Sequence, residues 1–123
     1  MRIWDVAPRM LCRSHLLGEH REGHAVFAVI ARRSAGYREH PETKRWVGKL
    51  PALAARHRRV VEEMRRRGYR HGSPMRARRG SRVQRSRLLS LDAQAARLAA
   101  KPCQCPQVSH SRTRMAMRKG SPR

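Results

Sequence analysis

Acidic residues are scarce in this chain, and aromatic residues scarcer. Eight Asp and Glu stand against 30 Lys and Arg, a formal net charge of +22 over 123 residues. A chain so one-sided repels itself unless a polyanion neutralises it, and nucleic acid is the usual polyanion. The aromatic side chains are Trp4, Phe27, Tyr37, Trp46 and Tyr69. A core must then be built from Leu, Val, Ile, Ala and Met, which suits packed helices better than a β-sandwich. No apolar run approaches the roughly 20 residues that span a bilayer. Asp5, Arg9 and Arg13 interrupt the N-terminal stretch, so no secretory signal is read there. Cys12, Cys103 and Cys105 are therefore expected as thiols in a reducing cytoplasm. Cys103-Gln-Cys105 is too tight for an ordinary zinc knuckle and has no second pair.

What is present reads as one small domain. Residues 1–13 form an extended arm with Pro8, which Ile3, Trp4, Val6, Met10 and Leu11 anchor to the body. Ser14 reads as the N-cap of a long helix running to about Arg33, with Leu16, Phe27 and Ile30 on its buried stripe. Ser34-Ala35-Gly36 ends it. Pro41 starts a short helical piece carrying Trp46, and Pro51 sits in the first turn of a helix over 51–67. Leu53, His57, Val60, Val61 and Met64 share one face of that helix, and Arg65-Arg66-Arg67-Gly68 stops it. Residues 71–87 hold six Arg among small polar residues and read as a mobile basic loop for phosphate contact. Residues 88–100 read as a third main helix, and 102–123 as a disordered basic tail. The expectation is an all-α fold of about three main helices, with a domain over 1–101 and a tail over 102–123. Arg exceeds Lys, which favours forked contacts to phosphate without base preference. A GC-rich genome would raise Arg in the same way.

The first long helix carries the chemistry. A turn of about 100° per residue puts His15, Gly18, Glu22 and Ala25 on one face. A His and a carboxylate with small residues between them leave room for a substrate; a surface ion pair or a capping network would use the same spacing. His20 and His24 stand i, i+4, a spacing that lets two imidazoles share zinc. The intervening residues are Arg-Glu-Gly, which misplaces the Glu for a zinc protease, and no third ligand is evident. No metal and no cofactor are expected.

The run His15-Leu16-Leu17-Gly18-Glu19-His20-Arg21-Glu22 resembles the corresponding helix of the pyrimidine-dimer DNA glycosylases, the phage-type endonucleases and their bacterial branch. Met1-Arg2-Ile3-Trp4 is similar to the family's opening, Gly36 to Pro41 to a segment of the bacterial branch, and Leu53 to Tyr69 to the second long helix. The likeness covers roughly residues 1–70.

The resemblance implies a glycosylase with a coupled abasic-site lyase activity on a helical, metal-free fold. The terminal α-amine attacks C1′ of the damaged nucleotide, forms a Schiff base, and β-elimination then nicks the strand. An α-amine with a pKa near ~8, against ~10.4 for Lys, is appreciably neutral and nucleophilic at pH 7. By the same matching the catalytic residues are Met1 and Glu22, and Arg2, His15 and Arg21 hold phosphates. His24, Arg76, Arg78 and Arg79 are added as candidate DNA contacts. The expected partner is double-stranded DNA carrying UV lesions, with no membrane partner, and the expected state is a monomer in the cytoplasm at the nucleoid. The chain departs from the family at three points. Bulky Arg2 implies that Met1 is retained, where the phage enzyme exposes a Thr amine. Ala25 stands where the family helix has a basic residue, and the aromatic-rich terminus has no counterpart here. The alternative reading is a basic nucleic-acid-binding protein without catalysis.

Overall fold

The computed structural model describes residues 3–32, 36–70 and 73–103, so the expectations for Met1, Arg2, the 34–35 stop, Cys105 and 104–123 lie outside the described residues. The described residues are all-helical: α1 (Arg13–Arg32), α2 (Pro41–Lys44), α3 (Leu50–Arg66) and α4 (Leu91–Ala100), with 3-10 turns at Pro8–Met10 and Tyr37–Glu39. No described helix is long and apolar enough to cross a membrane.

Local chemistry sets the helix ends. α1 begins one residue before Ser14, with the Cys12 carbonyl accepting from the Leu16 N–H at 2.8 Å, so Ser14 lies inside the helix and is not its cap. His40 caps α2 through Nδ1, which accepts from the Glu42 N–H at 3.0 Å. α3 ends at the expected stop: Gly68 takes φ +91°, and the Tyr69 N–H returns to the Met64 carbonyl at 2.8 Å. α4 starts at Leu91, later than the expected 88, because the Ser90 hydroxyl caps it by accepting from the Ala93 N–H at 3.1 Å.

α1 packs on α3, and the arm is part of the core between them. Trp4, Val6 and Leu11 pack with Leu16, Val60 and Leu98, while Ile3 packs with Val26, Trp46 and Leu53. An irregular buried strand of chain must still satisfy its backbone carbonyls. Arginines do this here. Arg45 donates to the Ile3 carbonyl at 2.8 Å, Arg56 to that of Val6 at 2.8 Å, and Arg67 to that of Leu11 at 2.7 Å. Asp5 completes the arm's docking: its Oδ1 accepts from Arg45 at 3.1 Å and its Oδ2 from Gln94 of α4 at 2.9 Å.

Residues 73–90 are irregular, as composition predicts for 73–87, but they are fastened to the turn between α2 and α3. Ser81 donates its N–H to the Gly48 carbonyl at 2.8 Å, Gln84 donates to the Arg45 carbonyl at 2.6 Å, and Arg45 to the Ser86 carbonyl at 2.7 Å. Gly80 makes the closest approach, with φ +116° and only 2.8 Å between a Cβ position and the Gly48 oxygen. A side chain there has neither the conformation nor the space.

Candidate active site

The α1 face read from the sequence opens on a pocket of about 390 Å³. His15, Gly18, Arg21 and Glu22 line it from α1, and Trp4 lines it from the arm. Arg97 and Lys101 close it from the end of α4. Gly18 leaves its centre open, since nothing lies within 4 Å of where its Cβ would stand.

Glu22 is half-buried, and its Oε2 is buried without a hydrogen-bond partner among the described residues. A buried carboxylate oxygen left unsatisfied costs stability, so it asks for a reason beyond folding. Three cations share its pocket: Arg21, Arg97 and Lys101. His15 stands edge-on to Trp4, with ring centroids 5.8 Å apart and planes at 88°.

The pocket wall also holds an ion pair absent from the sequence reading, through Glu19. Glu19 is buried on α1 and takes a fork from Arg56 of α3, with Nε at 2.6 Å and Nη2 at 2.9 Å. Its Oε1 also accepts from the Trp4 N–H at 3.2 Å. Burial pushes the Glu19 carboxyl up from its ordinary range, while the Arg56 guanidinium and the Trp4 N–H pull it back towards the charged form. This pair sets the arm's entry to the pocket, because Arg56 and Glu19 together hold the backbone of Trp4 and Val6.

The remaining candidates are distributed elsewhere. His24 does not line this pocket; its Nε2 shares a hydrogen bond with Nε2 of buried His57 at 3.0 Å. His20 stacks on His57 with centroids 5.3 Å apart, so the third imidazole missing beside His20 and His24 comes from α3. Donor atoms of these three lie within 4.8 Å of one another, and those of Cys12, His15 and Cys103 form a second set that meets the same limit. Arg76 and Arg78 line a separate hollow of about 460 Å³ with Arg58 and Arg82, and Arg79 is exposed nearby in sequence. The structure thus joins His15, Arg21 and Glu22 in one site and assigns Arg76 and Arg78 to another surface.

The sequence reading did not include Trp4, Glu19, Arg97 or Lys101 among the site residues. Arg97 and Lys101 are spaced i, i+4 at the end of α4, a faint signal that they share a face.

A family model described as pyrimidine dimer DNA glycosylase matches residues 1–77, more than half of the chain. That stretch contains the arm, α1 and all of α3, and α4 lies beyond it. No curated protein and no solved structure matches the chain.

Proposed function

Because the chain belongs to the pyrimidine dimer DNA glycosylase family, we propose that it cleaves the N-glycosidic bond at UV-induced pyrimidine dimers and then nicks the abasic strand. In this reading the neutral α-amine of Met1 attacks C1′ and the base leaves with its bonding pair; the nitrogen gives up a proton, its lone pair then expels O4′, which takes up a proton, and the opened sugar is left joined to the chain as an imine. Glu22 stabilises the positive charge on the opening sugar, then takes the C2′ proton as the 3′ phosphate departs.

The observation that carries the reading is Glu22, which lines a pocket rimmed by cations and whose Oε2 is buried without a partner among the described residues. Phosphate binding alone has no use for a carboxylate placed among Arg21, Arg97 and Lys101. Trp4, three residues after Met1 in the sequence, lines the pocket. Arg2, His15 and Arg21 are proposed to hold phosphates around the extruded nucleotide, whose extrusion costs a few kcal/mol, less at a lesion. His24, which stands in the imidazole cluster, is proposed as a further DNA contact outside this pocket, and the protein works as a monomer on the nucleoid.

The test is to block the N-terminus. A protein extended by a short uncleaved N-terminal peptide is expected to bind dimer-containing DNA with little change and to nick it only at background. Full nicking by the extended protein removes Met1 from the mechanism.

Arg76, Arg78 and Arg79 are proposed as backbone contacts outside the reaction. Neutralising each one that touches a phosphate should weaken binding evenly across sequences and lower the salt slope by about 1. Salt titrations of Arg76→Gln, Arg78→Gln and Arg79→Gln read this directly; unchanged slopes would place the duplex away from this surface.

A further inference from the structure

We propose that Cys12, His15 and Cys103 form a zinc site that clips the start of α1 to the end of α4. The Cys12 Sγ lies 3.2 Å and the Cys103 Sγ 3.3 Å from the same His15 Nδ1. All three donor atoms fall within 4.8 Å of one another. Zinc bonds of about 2.0–2.3 Å in a tetrahedron set donor separations near ~3.5 Å, which the two Sγ–Nδ1 distances approach and which the limit on the third pair admits. Cys12 immediately precedes α1 and His15 lies in its first turn, whereas Cys103 arrives 88 residues after His15. Burial does not explain that convergence, because Cys103 is exposed.

Charge selects this set over the other candidate. Two thiols release two protons when they bind a dication, and the resulting unit of zinc and two thiolates is neutral. It adds nothing to a chain already at +22. His20, His24 and His57 are neutral ligands and would add the full charge of the dication, and the hollow that His57 lines holds Arg58 and Arg65 against one carboxylate, Glu62.

The clip has two effects on the neighbouring pocket. It holds the end of α4, from which Arg97 and Lys101 reach that pocket. It also occupies Nδ1 of His15, which fixes the tautomer and leaves Nε2 as an N–H donor. The site stands whether or not the glycosylase reading does, since it rests on ligand geometry alone.

The test uses the full chain purified in reductant without chelator, assayed for metal by mass spectrometry and titrated with cobalt(II) after zinc removal. Expected are about one zinc per chain and, for cobalt, the intense charge-transfer absorption of bound thiolate. Cys12→Ser and Cys103→Ser should each lose most of the bound metal, and zinc removal should lower the Tm of the wild-type chain. The wild-type cobalt spectrum needs no variant, so misfolding of a variant does not blunt the test. Reduced protein that binds neither ion overturns the proposal. So does cobalt bound without the thiolate band, which would point to the three imidazoles, or metal retained in full by both folded variants.

Discussion

Glu22→Gln is expected to reduce strand nicking at a thymine dimer by about 10²–10⁴-fold, the range associated with a positioned proton-transfer group. DNA binding should persist or tighten. The amide keeps the shape of the side chain but can neither take the C2′ proton nor balance a cationic sugar. It also removes a negative charge from a pocket shared with Arg21, Arg97 and Lys101, each of which favours phosphate. Stability should be unchanged or raised, because Oε2 is buried without a partner among the described residues and an amide is cheaper to leave there. Single-turnover nicking, a binding titration and a melting curve on one protein sample measure all three. Wild-type nicking by this variant would remove Glu22 from the reaction.

Arg56→Met should act on folding, and strongly. The guanidinium forks onto Glu19 and also donates to the Val6 carbonyl at 2.8 Å, with its side chain only 8% exposed. Removing one partner of a buried pair strands the other charge and costs about 3–5 kcal/mol. Domains of this kind are stable by only about 5–15 kcal/mol, so the variant sits near the edge of unfolding at ambient temperature. Replacing Glu19 as well, in an Arg56→Met, Glu19→Leu double variant, should recover part of the loss, since no buried charge then remains unpaired. Denaturant titration checks both. A loss under about 1 kcal/mol for the single variant would mean that the pair does not hold the arm.

The difference between these two carboxylates shows what could be read from the sequence. Glu22 was legible because its face is local: His15, Gly18 and Glu22 follow from helical periodicity, and the structure sets all three on one pocket. Glu19 lies three residues earlier in the same run, but its burial depends on Arg56 arriving from α3. No periodicity within α1 contains that contact. The arginines illustrate the same limit. Arg45, Arg56 and Arg67 count towards the positive charge that points to DNA, yet each spends its donors on carbonyls of the arm. Charge sums cannot separate an arginine that supports backbone from one that meets phosphate. His57 was placed correctly on a buried face of α3, but its meeting with His20 and His24 depends on how α1 and α3 are set against each other.

The helices were legible where their ends carry local chemistry. The stop at Arg65 to Gly68 and the start of the short helix at Pro41 both stand where caps and prolines put them, although that helix ends at Lys44 and Trp46 lies in the turn after it. The start of α4 was read too early, at Leu88; Leu88 and Leu91 are exposed, and the Ser90 cap decides the boundary. Residues 71–87 read as mobile from composition; the attachment of their described part runs through backbone groups of Gly48, Arg45 and Ser86, which composition does not register.

The central claim is an imine between this chain's amine and a dimer-bearing strand. Borohydride reduction traps that species covalently. Untagged protein should be incubated with an oligonucleotide carrying one cyclobutane thymine dimer, beside abasic and undamaged strands, and resolved under denaturing conditions. The account predicts a covalent complex on the dimer and abasic strands and none on the undamaged one. A strand bound tightly but never trapped, on either lesion, would contradict it and leave a binding protein without the chemistry.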